Sequence, residues 1–155
     1  MDKSFMARAI QLSLENVYSG RGGPFGAVIA KDGRVIAEGA NQVTSSNDPT
    51  AHAEVLAIRE ACRKLGVFEL HGCDIYTSCE PCPMCLGAIY WAHISRIYFA
   101  GFAADASKVG FDDSLIYQEV AQPYSSRRVP MVQMMREEAL VAFRAWDEKP
   151  NKIIY

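Results

Sequence analysis

The chain has 155 residues, 50% of them hydrophobic, with 16 basic and 18 acidic side chains and a formal net charge of −2. That length and apolar content suit one domain, spanning 1–155, with a sizeable core. The near-balance of charge argues against a nucleic-acid partner, because neutralising phosphates takes a concentrated basic surface.

Taken in order, Phe5, Ala9, Ile10, Leu12, Leu14 and Val17 recur at mostly helical spacing within 2–18, which predicts a first helix lying on a sheet. The run SGRGGP, Ser19–Pro24, ends it. A hairpin follows, with strands at Val28–Ala30 and Val35–Ala37 around the turn Lys31-Asp32-Gly33. Asn41–Asn47 reads as a polar loop into a helix that runs to about Leu65. A strand at Asp74–Ser78, a helix from Pro83 to about Ala92 and a strand at Arg96–Ala100 come next, and FAADASKVGFDDS reads as a short helix or irregular loop. A fifth strand at Val129–Met135 and a helix at Glu137–Asp147 lead to a tail, 148–155, whose Ile153, Ile154 and Tyr155 are poorly suited to water and should dock on something. The fold class is therefore α/β, three layers α/β/α around a mixed five-stranded sheet, with the site where strand ends meet helix N-termini.

The N-terminus lacks a basic-then-apolar secretory pattern, and no run of about 18 apolar residues suggests a membrane span, so a cytoplasmic location is expected. Five cysteines, an odd number, argue against a disulfide framework in that setting. Cys62 and Cys73 read as core residues, and Arg127-Arg128 as a solvated loop pair.

Two short stretches carry chemistry: TAHAE, Thr50–Glu54, and EPCPMC, Glu80–Cys85. His52, Cys82 and Cys85 offer one imidazole and two thiolates, a soft donor set that suits Zn²⁺ far better than Mg²⁺ or Ca²⁺. Three protein ligands leave one tetrahedral position for water, whose pKa then falls from about 15.7 to roughly 7. Glu54 stands where a carboxylate can take that water's proton. Cys82 and Cys85 at i, i+3 share one face of a helical turn. His52 and Glu54 at i, i+2 lie about 200° apart on a regular helix, so the ion must sit ahead of the helix end. Thr50 or Asp48 can cap that end, and Pro81 and Pro83 mark the start of the cysteine helix. Two helix N-termini then converge on the metal, and their free N–H groups favour thiolate, with the amides near Ala53 and Cys82 open to a substrate. A closed structural zinc site with Cys79 as fourth ligand is the alternative, but it leaves Glu54 without a task.

The order HAE then PCxxC, with Cys82 30 positions after His52, resembles the zinc-dependent cytidine deaminase superfamily of nucleobase deaminases, over roughly the whole chain. GGPFGAV, Gly22–Val28, and NDPTAHAE, Asn47–Glu54, resemble both its tRNA adenosine deaminases and its small guanine deaminases. IYWA, Ile89–Ala92, GFDDS, Gly110–Ser114, and the aromatic end at Tyr155 resemble the bacterial guanine deaminases. That resemblance implies a cytidine-deaminase-like fold, one Zn²⁺ per subunit and hydrolysis of guanine to xanthine and ammonia, with a purine base as partner and neither nucleic acid nor membrane. Glu54 would shuttle the proton. It also implies that Asp113 contacts the substrate and assists proton transfer, although spacing alone does not separate Asp113 from Asp112. A carboxylate suits guanine, which presents N1–H and an exocyclic amine as adjacent donors. The resemblance further implies that Asn41 donates to the purine, that Phe25 and Trp91 flank it, and that the tail with Ile154 and Tyr155 crosses to a partner subunit in a homodimer and closes its pocket.

Overall fold

A computed structural model describes residues 2–155, and the chain divides into two compact units, one reaching to Asp113 and one formed by Ser114–Tyr155. In the first, the Asp2 carboxylate accepts the Ser4 N–H at 2.8 Å and so caps helix α1 (Lys3–Ser19), which ends on Gly20 at φ 69°. The hairpin strands β1 (Gly26–Lys31) and β2 (Arg34–Ala40) meet through Asp32 and Gly33, both at positive φ, 50° and 73°. A two-residue turn left-handed at both positions matches the twist of the strands, and glycine adopts it without a Cβ penalty. Both strands exceed the expected limits, because Gly26–Ala27 and Gly39–Ala40, weak strand formers, are held in register by their neighbours. The polar loop contains one helical turn, α2 (Val43–Ser46), and then come α3 (Ala53–Leu65), β3 (Asp74–Cys79), α4 (Pro83–Trp91), β4 (Arg96–Gly101) and α5 (Ala103–Ser107).

The strands run in the order β2-β1-β3-β4, with β1 antiparallel to both neighbours and β3 parallel to β4. The sheet is thus mixed, as expected, but among the described residues it has four strands and not five. The segment 129–135 has no ladder partner there. Pro130 removes a donor at its second position, and Val129, Met131, Val132, Met134 and Met135 are exposed rather than alternating in and out.

Period-two alternation on β1 divides the core. Ala27 and Ile29 join Ala37, Ile75, Ala53, Ala57, Ala61, Leu70 and Ile89 on one face, while Val28 and Ala30 join Ala9, Tyr76, Phe5 and Met6 on the other. Helix α1 therefore covers one side of the sheet and α3 with α4 the other, the three layers that the pattern of elements predicts. Ala53, Ala57 and Ala61 form a small-residue stripe on α3, fully buried. Opposite them Gly39 has no room for a Cβ, which would run into the Ala53 carbonyl. The first turn of α3 consequently rests directly on β2.

The second unit holds α6 (Ser114–Ala121), a 3-10 turn at Tyr124–Ser126 and α7 (Arg136–Glu148). Its Arg127 and Arg128, expected to be simply solvated, brace the turn: Arg127 donates to the Gln122 and Val120 carbonyls at 3.0 and 3.3 Å, and the Arg128 N–H to the Glu119 carboxylate at 2.7 Å. No residue of Ser114–Tyr155 is buried. Among the described residues no helix is long and apolar enough to cross a membrane.

Gly39→Ala should push the start of α3 off the sheet. We expect a loss of about 1–3 kcal/mol in chemical denaturation, the range for an overpacked core, together with reduced zinc retention.

Candidate metal centre

His52 is the N-cap of α3, with extended backbone at φ −74° and ψ 153°. Neither expected cap, Thr50 nor Asp48, bonds the first amides of that helix. The Asp48 carboxylate instead accepts the Thr50 N–H at 2.8 Å and its hydroxyl at 2.7 Å, closing a turn just upstream that delivers His52 to the helix start. Cys82 is likewise the N-cap of α4, at φ −66° and ψ 167°, with Pro83 at the first helical position. Only Cys85 therefore lies inside a helix, and the two sulfurs converge because the extended cap lets Cys82 reach across the helix end, not because both ride one helical face.

The His52 Nδ1 lies 3.6 Å from the Cys82 sulfur and 3.5 Å from the Cys85 sulfur. Tetrahedral zinc with Zn–S of about 2.3 Å and Zn–N of about 2.0–2.1 Å requires an N···S edge of about 3.6 Å. The donor triangle is therefore already sized for the ion, and all its ligand atoms fall within 4.8 Å of one another. Among the described residues no fourth protein donor joins it. Cys79 does not: its thiol donates to the Phe102 carbonyl at 3.7 Å. The described residues thus bring together three donors, and Cys79 is not among them.

Charge in this triangle is shared. The Cys82 thiol is lowered to about 4, first by hydrogen bonding from Cys85 and then from His52, while Cys85 is pushed up by that same bond and by burial. His52 is raised by its bond to Cys82. Thiolate character is thus favoured at Cys82 over Cys85, and metal binding at these sulfurs releases protons. Glu54, buried in the first turn of α3, accepts from Cys85 at 3.4 Å, and burial raises its pKa. Ala53 is the first residue of α3, so its amide has no partner within the helix.

Around the triangle, Asn41 is buried, and its Oδ1 accepts the Gly23 and Val43 N–H groups at 3.2 Å each. With the oxygen engaged, the NH₂ group is the part of Asn41 open to a ligand. Phe25 is half-buried and meets Phe111 edge to face at 4.9 Å. Asp113 is half-buried while Asp112 is exposed. Burial, and after it the negative charge of Cys82, Asp112 and Glu80, raise the Asp113 carboxyl, so this acid lies within electrostatic reach of the donors. Trp91 differs: it ends α4, eight residues and about 12 Å along the axis from the cysteine end, and is 67% exposed. Tyr155 belongs to the second unit and is also exposed.

Two contributors escaped the sequence reading. Phe111, inside the quoted GFDDS, anchors the loop that carries Asp113 through its contact with Phe25. Glu80 donates its N–H to the Gly101 carbonyl at 2.8 Å and accepts the Ala103 N–H at 3.0 Å, tying β4 to α5 beside the cysteines. An acid directly before PCxxC was the available signal.

Residues 1–101 match the family described as the cytidine and deoxycytidylate deaminase zinc-binding region. The chain is 55% identical over 153 residues to the guanine deaminase of Bacillus subtilis, covering 99% of this chain and 98% of that protein. The X-ray structure of a guanine deaminase from Bacillus subtilis superimposes with a TM-score of 0.97 at 54% identity, covering 100% of this chain and 99% of the other. The tRNA-specific adenosine deaminase of the same organism is 34% identical over 118 residues, or 76% of this chain and 73% of its own length.

Metal analysis of purified variants checks the ligand set. Cys82→Ser and Cys85→Ser should lose zinc, whereas Cys79→Ser should keep the wild-type stoichiometry; zinc loss from the Cys79 variant would make it a ligand.

Proposed function

This chain belongs to the cytidine and deoxycytidylate deaminase zinc-binding family, and from that premise we propose that it hydrolyses guanine to xanthine and ammonia, with the roles that follow. Similarity to a guanine deaminase over nearly the full length of both chains supports the choice of base. The observation that carries the chemistry is the open N/S₂ triangle with the buried Glu54 carboxylate 3.4 Å from one of its sulfurs.

His52, Cys82 and Cys85 would hold the zinc, whose Lewis acidity would bring the pKa of water from about 15.7 to roughly 7. Glu54 takes a proton from the attacking water as its oxygen bonds to C2 of guanine, and passes that proton to the ring nitrogen N3. When the bond from C2 to the exocyclic nitrogen breaks, Glu54 moves the proton of the new hydroxyl to the departing amine, which leaves as ammonia. The raised proton affinity of a buried carboxyl suits a group that must take up a proton and hand it on in each of those two relays.

Base choice falls to Asp113. A carboxylate accepts both N1–H and the exocyclic amine of guanine, whereas adenine shows no such adjacent donor pair. Asp113 also aids the final transfer to the amine. The Asn41 NH₂ donates to a purine carbonyl or ring nitrogen, the first-turn amide of Ala53 binds at the helix end, and Phe25 covers one face of the ring.

Trp91 and Tyr155 enter through a second copy of the chain. Trp91 is 67% exposed at the end of α4 far from the cysteines, and Ile153, Ile154 and Tyr155 are 63, 76 and 70% exposed at the end of a unit that buries nothing. We assign the protein a homodimer in which 148–155 crosses to the partner's pocket. All five cysteines are free, which suits a reducing compartment and a cytoplasmic site of action.

Ammonia release from guanine, adenine, cytosine and an anticodon-loop RNA tests the reading: guanine alone should be turned over, and release from the RNA alone would move the function to tRNA editing. Glu54→Gln should keep zinc and lose about 10²–10⁴ in kcat; wild-type turnover in that variant would remove Glu54 from the mechanism. Deleting Lys152–Tyr155 should cut kcat/KM strongly without altering zinc content, and unchanged kinetics would reject the tail's role.

A further inference from the structure

We propose that Asn16, in the last turns of α1, is a positioning residue that dictates which end of the Asn41 carboxamide meets the substrate. The inference rests on the reading of Asn41 as a donor to the purine and adds the residue that makes it one.

Asn16 is 1% exposed, and its single amide nitrogen donates twice, to the Gly23 carbonyl and to the Asn41 carbonyl, both at 2.8 Å. Gly23 in turn donates its N–H to Asn41 Oδ1, which also accepts from Val43 N–H. Asn16, Gly23 and Asn41 therefore form a closed ring with a fixed sense of donation. Both hydrogens of the Asn16 NH₂ face carbonyls, so its nitrogen cannot exchange places with its oxygen. The Gly23 N–H, like that of Val43, points at Asn41 Oδ1, and an Asn41 turned over by 180° would set its NH₂ against those two N–H donors. The ring thus leaves the Asn41 NH₂ for a ligand's acceptor.

Two further observations mark this as a built feature. The Asn16 Oδ1 is buried with no hydrogen-bond partner, an arrangement that disfavours a polar side chain at this position. A well-packed apolar side chain would avoid that burial, but it would supply no donor for the Asn41 carbonyl and would leave the Gly23 carbonyl to the Phe25 N–H alone. Gly22 has no space for a Cβ, which would collide with the Asn41 carbonyl. The segment before β1 is therefore packed against the Asn41 backbone at Gly22 and bonded to Asn16 at Gly23, and Phe25 lies two residues beyond Gly23.

The test is a double-mutant cycle on the zinc-loaded full chain with guanine, using Asn16→Ala, the isosteric Asn16→Asp, Asn41→Ala and the combinations. Either Asn16 variant should lower kcat/KM about tenfold, mainly through KM, in the presence of Asn41 and have little effect once Asn41 is alanine. An equal loss in both backgrounds, or wild-type KM in a folded Asn16→Asp protein, would overturn the proposal. A second arm needs no variant at position 16 and no turnover. In ¹⁵N-labelled wild type, with Asn41→Ala used to assign its side-chain signals, strong NOEs from the Asn41 NH₂ to the Gly23 and Val43 amide protons would show the opposite orientation and also overturn it. Absence of guanine turnover by the wild type would sink the functional reading alone, and the NOE pattern would still decide the role of Asn16.

Discussion

Three soft donors can share one ion only if two helices begin at the same point in space, and most of the first unit is arranged around that requirement. His52 and Cys82 are both N-caps, so each carries extended backbone that swings its side chain across the end of its helix, while Cys85 reaches up from the first turn of α4. Free amides at both helix starts favour negative charge there. The Cys82 thiol accordingly titrates well below an ordinary thiol, through its bonds to Cys85 and His52. The resulting N···S separations of 3.5 and 3.6 Å match a tetrahedral edge.

Packing several residues away enforces this convergence. Alanines at every fourth position of α3, with Gly39 facing them from β2, let helix and sheet approach until backbone touches backbone, and such contacts leave little freedom of position. The ladder from β3 to β4 then sets the second cap, since Cys82 lies three residues beyond the end of β3, and Glu80 bonds the end of β4 and the start of α5. Glu54, two residues into α3, is buried by the same close packing, and that burial raises its affinity for a proton.

The surrounding residues obey a different logic. Asn41, Phe25 and Asp113 come from loops, where regular hydrogen bonding does not fix orientation, so each depends on a specific partner: Asn41 on Gly23 and Asn16, Phe25 on Phe111, and Asp113 on the loop that Phe111 anchors. The second unit follows neither logic. It has helices and braced turns but no buried residue, and its exposed Trp146, Ile154 and Tyr155 are surface that a second copy of the chain could cover.

Much of this was legible in the residues themselves. Helical and alternating spacing marked α1, the hairpin, α3, β3, α4 and β4, because burial of one face imposes a period on the sequence. The donor identities and the acid beside them also stood in the sequence, since softness and valence belong to residue type. Other features depend on through-space partners and carry no local signal. Periodicity could not exclude a fifth strand at 129–135, because a strand exists only where another offers it a ladder. It could not separate Asp113 from Asp112, which differ in burial rather than chemistry, nor reveal that Trp91 is largely exposed at the end of α4. Residue type and spacing specified the metal chemistry; tertiary contacts decided which neighbours could reach it, because orientation is set by hydrogen bonds between segments far apart in the chain.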